Sequence, residues 1–398
     1  MNSKTLFILQ RGIISLAMTM MMTAAIVYRI EDAQLIPYQL ILLGTALEIA
    51  VIFFEVPTGI VADKYSRKLS VVLGFFIIGI GFLIELSSLK FVWIFIAQIV
   101  WGFGYTFISG ALDAWVSDET KNQDIELTYI KGNSMSKWMT ILGILGALAF
   151  GVIDIRLPMF IGALLFIITS FFLTFMMKET VKPEKIMHSM VHQFRLGVKH
   201  IFKHPLLRIF VMTAFLLGLF SEGIDRLEEF IILERVTTTF LNGLPSIYIV
   251  SIMHMIVAIL GIIMLLVIKK HVSEGLKTYQ WFFVLLLSMS FGLFIFAYVD
   301  QAYIAILGFF FFRMTRQGLD PLYTSIQARE IPSNIKATVM STFGQIDGIG
   351  QIASGLLMTT LALVLGTKSI LTVTALILLG AAYTIILLIK KHHSFDTK

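Results

Sequence analysis

Cysteine is absent from the 398 residues, which excludes disulfides, thiolate metal sites and thiol nucleophiles. Charge is scarce: Asp, Glu, Lys and Arg make up 14% of the chain, against about 25% in a soluble domain. Segments of about 10 residues with alternating polarity, the mark of a transmembrane barrel, are not found. No stretch reads G-x-x-x-x-G-K-[ST], H-E-x-x-H or G-x-S-x-G, so nucleotide hydrolysis, zinc-protease and serine-hydrolase chemistry have no motif to stand on. No loop is long enough for a soluble catalytic domain. These absences point away from an enzyme and require no cofactor.

What the chain does have is apolar length. Hydrophobic residues are 57% of it, in repeated runs of about 20 residues, each able to cross a ~30 Å hydrocarbon core as a helix. Twelve such runs are legible, at 6–28, 38–61, 70–89, 91–117, 133–153, 157–177, 207–233, 245–268, 278–299, 302–327, 336–365 and 367–389. The first has a short basic start and no small-residue cleavage site, and reads as an uncleaved helix. The expected fold is an all-α membrane protein solvated by the lipid bilayer. With the N-terminus inside, the outer segments hold only Arg29, Lys90, Arg156, Arg235 and Lys368, while the inner ones carry the other bases of the loops. The excess of inner bases places both termini in the cytoplasm of a cell-membrane protein. It also accounts for the net charge of +6 without nucleic acid as a partner.

The halves resemble each other. "YIKGNSMS" (129–136) precedes the fifth run and "NIKATVMS" (334–341) the eleventh; "ALDAW" (111–115) closes the fourth and "GLDPL" (318–322) lies near the close of the tenth. A duplicated six-helix unit explains this order, and such repeats are a transporter architecture. The predicted organisation is a bundle at 1–177, a linker at 178–206 and a second bundle at 207–398, pseudo-symmetric with the first. In the linker, Ile186, Met190, Phe194, Val198 and Ile201 recur at helical spacing among Lys and His, which predicts an amphipathic helix at the inner membrane surface. His188 with His192 and His200 with His204 are four apart, a spacing that can bind metal. Without supporting carboxylates they read as solvated interfacial residues rather than a metal site.

Between the second and third runs lies "GIVADKYSRK". Gly59, Asp63, Lys64, Arg67 and Lys68 in this order resemble the loop signature of the major facilitator superfamily, G-x-x-x-D-[RK]-x-G-R-[RK], with Ser66 where that family has Gly. The twelve runs, the long middle loop and the repeat extend the resemblance over the whole chain. It implies a gating latch that holds two six-helix halves together in the outward-open state. Physically, Asp63 can face the positive end of a neighbouring helix. Arg67 can grip a carboxylate in bidentate fashion, with Asp113 the natural candidate and Asp118 behind it. The alternative is a plain topology signal.

A charge inside a span costs at least ~2.5–3.5 kcal/mol and so usually has a partner or a task. The seventh run carries Glu222, Asp225 and Glu229 on one face, with Arg226 beside them; the tenth carries Arg313, Arg316, Gln317 and Asp320. The resemblance implies that the first, fourth, seventh and tenth helices line a central cavity, which brings these acids and arginines together. Glu222 or Asp225 could take a proton under the control of Arg313; static pairing that fixes helix register is the alternative. A further alternative places Glu228, Glu229 and Arg226 at the outer water boundary. Glu48 and Glu55 share a face of the second run. Asp347 sits among Gly344, Gly348 and Gly350, where an interhelical hydrogen bond competes with a transport role. Gln98, Trp101 and Tyr105 could present a polar-aromatic face to a flat substrate, or face lipid. Gln98 stands where many members of the family have Arg. Gly143, Gly146 and Gly151 allow close packing of the fifth run, but the Pro of the drug/proton antiporter motif is missing there.

The expectation is a monomeric secondary transporter coupled to protons or another ion. Its 20 Met residues and aromatic helices favour efflux of drug-like amphipathic molecules. A charged metabolite read by Arg313 and Arg316 is the alternative substrate, and a non-transporting sensor on the same fold the alternative class.

Overall fold

The computed structural model describes residues 2–121, 124–180, 190–239, 243–271, 275–332 and 335–396. Among these residues, fifteen α-helices follow one another: α1 (Ser3–Val27), α2 (Pro37–Lys64), α3 (Arg67–Leu86), α4 (Phe91–Ile108), α5 (Ala111–Thr120), α6 (Ile125–Gly151), α7 (Arg156–Met176), α8 (Met190–Lys203), α9 (Pro205–Thr239), α10 (Ser246–His271), α11 (Leu276–Tyr298), α12 (Ala302–Arg316), α13 (Leu319–Glu330), α14 (Lys336–Val364) and α15 (Thr367–Asp396). A π-helical turn, Tyr28–Asp32, continues α1. No strand occurs among the described residues. The fold is therefore the expected all-α membrane architecture, with helices for the twelve predicted runs.

Local chemistry sets several boundaries. Pro37 opens α2, where its missing N–H costs nothing. The Gln39 side-chain Oε1 accepts from the Ile36 N–H at 3.1 Å, tying down the same end. Ser66 is the N-cap of α3 and accepts from the Leu69 N–H at 2.9 Å. The departure from the family's loop glycine thus supplies a capping oxygen, a gain of roughly a few tenths of a kcal/mol over glycine. Many helices overrun the predicted limits; α6 starts at Ile125 and α15 ends at Asp396. Apolar runs mark the hydrocarbon, whereas hydrogen-bonded backbone continues into the polar interface.

Two predicted spans are not single helices. The fourth breaks at Ser109–Gly110 into α4 and α5, with Gly110 at φ +74°, a conformation that favours glycine. The tenth breaks at Gln317–Gly318 into α12 and α13. With α4 and α5 taken together, 11 helices among the described residues are long and apolar enough to span, and the tenth predicted run is covered by two shorter pieces. Asp113 and Asp320 each fall in the first turn after the break, so the two halves of the repeat carry the same interruption.

By packing, the chain forms two compact units, Met1–Met187 with Gly243–His254, and His188–Asn242 with Met255–Lys398. The start of α10 joins the first unit because His254 Nδ1 lies 3.1 Å from Thr23 Oγ1, Ser246 donates to Glu31, and Ile247 packs on Gly151. Within the first unit α1 packs on α6 and α7, and α3 on α4 and α7. Within the second, α9 packs on α14 and α15, and α11 on α12 and α15. The same pairing recurs in each, as a duplicated unit requires.

The linker helix α8 is docked on α14 rather than left on a membrane surface alone. Gly197 faces Thr342, and Ile201 is buried. Leu196 and Phe202 remain exposed. Ile186 and His188 lie outside the described residues, as do the side chains of Met190, His192 and Phe194.

Candidate functional site

In the second unit, α9, α12, α13 and α14 enclose a cavity of about 410 Å³, within the range of small-molecule sites. Helix approach makes it possible. A Cβ on Gly218 of α9 would fall 2.0 Å from the backbone oxygen of Asp347, and one on Gly350 of α14 would fall 2.4 Å from that of Phe215. Gly218→Leu should force α9 and α14 apart at a cost of about 1–3 kcal/mol or more. A lowered melting temperature of the purified protein in detergent will show it; an unchanged one would mean the crossing is looser than these distances.

Four residues singled out in the sequence line this cavity: Asp225, Arg316, Asp320 and Asp347. Asp225 and Arg316 form a bidentate pair, with Arg316 Nη2 2.6 Å from Asp225 Oδ2 and Nη1 on Oδ1. The Arg316 guanidinium also lies over the Phe220 ring, 5.1 Å from its centroid, a favourable cation–π contact. Asp347 accepts from Gln351 Nε2 at 2.7 Å. Asp320 is exposed to the cavity and makes no ion pair among the described residues. The cavity therefore holds one neutralised pair and two further acids. Around them stand Phe220, Phe343 and Tyr323, whose hydroxyl donates to the Phe210 carbonyl at 3.0 Å. Ser221, Gln327 and Gln351 supply neutral polar edges. Tyr323, Gln327 and Gln351 went unread in the sequence, because nothing in their own helices distinguishes them from ordinary polar packing.

Arg313 stands just behind the cavity. Its Nη1 is 3.7 Å from Asp225 Oδ1 and 3.3 Å from Glu228 Oε1. Glu228 was expected at a water boundary; instead it is 4% exposed. Helix α9 continues past it to Thr239, which carries the boundary further along the chain. Glu222 is also buried and does not reach the cavity. Its Oε1 accepts from Arg226 Nε at 3.0 Å, one turn away.

The first unit corrects two readings. Gln98 and Trp101 do not join Tyr105 in a cavity face. Gln98 Nε2 donates to Glu85 Oε2 at 3.0 Å, and Trp101 Nε1 donates to Gln98 Oε1 at 2.9 Å. Glu85, wholly buried on α3, also holds Arg29 through two bonds of 2.7 and 3.0 Å. The buried acid of a neighbouring helix turns these two side chains inward, while Tyr105 stays exposed. Glu48 and Glu55 are partly buried on α2.

The loop network is the second correction. Asp113 is not the partner of Arg67; it pairs with Arg11 of α1 at 3.6 Å. Arg67 pairs with Asp118 and donates to the Ala114 carbonyl at 2.9 Å. The break at Gly110 redirects the chain, so that the second turn of α5, not its first, reaches the start of α3. There Glu179 receives the Arg67 N–H at 2.7 Å and the Ser66 hydroxyl at 2.5 Å. A carboxylate at that helix N-terminus is favourable. Gly59 and Asp63 lie within the last turns of α2, partly buried, and neither Asp63 nor Lys68 makes an ion pair among the described residues. Arg67→Ala and Asp118→Ala should therefore slow transport to a similar extent, whereas Asp113→Ala should not. A double-mutant comparison of initial rates tests this, and additive losses for Arg67 and Asp118 would break the assignment.

A sequence profile described as Major Facilitator Superfamily matches residues 7–355. The MFS-type transporter YxaM of Bacillus subtilis (strain 168) is 25% identical over 351 residues, covering 86% of this chain and 85% of that protein. The transporter BU466 of Buchnera aphidicola subsp. Acyrthosiphon pisum (strain APS) is 27% identical over 179 residues, 44% of this chain and 45% of its own. Among solved structures, a mutant of the nucleoside transporter NupG superposes with a TM-score of 0.82 at 16% identity, over 97% of this chain and all 100% of that one. A POT family transporter in complex with 5-aminolevulinic acid gives 0.75 at 12% identity, over 98% and 96% of the two chains. At these identities the structural likeness is one of fold.

Proposed function

The chain belongs to the major facilitator superfamily, and from that premise we propose that it is a proton-coupled secondary transporter that exports organic cations of drug-like, amphipathic character by alternating access. One observation carries the substrate class. Arg316 and Arg313 face carboxylates, whereas Asp320 and Asp347 line the cavity without a cationic partner among the described residues. An anionic metabolite would have to displace Asp225 from Arg316. A cation finds two acids and the rings of Phe220, Phe343 and Tyr323 already in place. In this reading the protein works as a monomer in the cell membrane, both termini are cytoplasmic, and the Arg67–Asp118–Glu179 network is the gating latch, to which Asp63 contributes.

A second substrate reading has its own support. Gln327 and Gln351 beside aromatic rings suit a neutral heterocycle with hydrogen-bonding edges, and NupG, of similar fold, is a nucleoside transporter. The two readings separate in proteoliposomes that hold the purified protein and a pH-sensitive dye. Cationic dyes should trigger proton movement, and nucleosides and organic acids should not. Proton movement with nucleosides alone favours the neutral solute, and movement with organic acids alone overturns the cation reading.

A further inference from the structure

We propose that Glu228, rather than Glu222 or Asp225, binds the coupling proton. This rests on the reading of the chain as a proton-coupled transporter. Among the acids around the cavity Glu228 is the one whose bonding is incomplete. Glu222 is held by Arg226, Asp225 by both nitrogens of Arg316, and Asp347 by Gln351; Asp320 is open to the cavity. The Glu228 side chain is 5% exposed, and among the described residues it pairs with Arg313 alone, through Oε1 at 3.3 Å. Its other oxygen is buried without a hydrogen-bond partner, and so is Arg313 Nε. An ionised oxygen buried and unbonded is costly, and such a group in a native structure asks for a reason. A site that alternates between charged and neutral forms is one, because the neutral acid removes the penalty that the ionised form carries.

The surroundings show how a proton there reaches the substrate. The charged groups that act most strongly on Glu228 are Arg313 and Arg316 from α12, and Asp225 and Glu229 on α9 itself. When Glu228 takes a proton from water, Arg313 loses one of its two carboxylates. The other, Asp225, already lies 3.7 Å away. Asp225 then serves two guanidinium groups, and its grip on Arg316 at the cavity weakens. A cation arriving beside Asp320 and Asp347 reverses the sequence. It competes for Asp225, Arg313 turns back to Glu228, and the proton leaves to water. One proton enters and one leaves in each cycle, and no other group changes its ionisation.

Two measurements on Glu228→Gln test this. In infrared difference spectra between acid and alkaline buffer, the wild type should show the C=O stretch of a buried carboxylic acid, and Glu228→Gln should lack it. In proteoliposomes the variant should lose substrate-triggered proton movement yet keep substrate counterflow, because exchange moves no net proton. A carboxylic-acid band that survives in Glu228→Gln, or that is missing from the wild type, overturns the assignment. So does loss of counterflow together with proton movement, which marks a structural role. The infrared result stands even if no cation is transported, so failure of the substrate reading and failure of the Glu228 assignment are seen separately.

Discussion

Glu85→Ala is expected to destabilise the protein by about 3–5 kcal/mol, the cost of leaving a buried charge without its partner. Arg29 is 7% exposed and donates two charged hydrogen bonds to Glu85. Gln98 also donates to that carboxylate, and Trp101 depends on Gln98 for its own N–H. One truncation therefore leaves the Arg29 guanidinium without its carboxylate and strips the Gln98 amide of an acceptor. The double variant Arg29→Met with Glu85→Leu should recover most of the loss, since an apolar pair of similar volume is often as stable as a buried ion pair. Melting of the two variants in detergent decides the matter. Equal melting of Glu85→Ala and wild type would mean that water reaches Arg29 and screens it.

Asp347→Asn should weaken binding of an organic cation by about 1.5–3 kcal/mol, roughly ten- to hundredfold in Kd. The substitution removes charge from the cavity while the side-chain oxygen still accepts from Gln351 within α14, and it leaves untouched the close crossing of α9 and α14 at Gly218 and Gly350. Asp320→Asn should act in the same direction, and binding of neutral solutes should move little in either variant. Isothermal titration with a cationic dye reads the shift. Undiminished affinity in both variants would remove the acids from recognition and leave the aromatic walls as the binding surface.

The parts of this molecule that were legible in the sequence are those that repeat locally. The apolar runs declared themselves because each is a local stretch of hydrophobic sequence, readable without its neighbours. Asp225, Arg316, Asp320 and Asp347 were found because charges inside such runs stand out one by one. What stayed hidden depends on a second helix. Gln98 and Trp101 looked like a cavity face until Glu85 on α3 is seen to claim them. Asp113 looked like the partner of Arg67 because the turn at Gly110, which swings Asp118 into place, lies inside an apolar run and leaves no mark in hydropathy. Glu228 was assigned to the water boundary because the apolar run fades near it; its burial follows from how α12 lies against α9, which no periodicity in α9 reports.

The Arg29–Glu85 pair has a consequence for how the chain is made. Arg29 sits at the far end of the first crossing, and its counter-charge arrives two crossings later, on α3. During synthesis the first helix must wait with its guanidinium reaching for the headgroups, since an unpaired charge resists the bilayer interior. Only when the third helix has been threaded can the arginine fold inward. The first crossing then reaches its final packing only once the third is present, and a nascent chain that stops after the second has an anchor at the lipid surface where the finished protein has a buried bond.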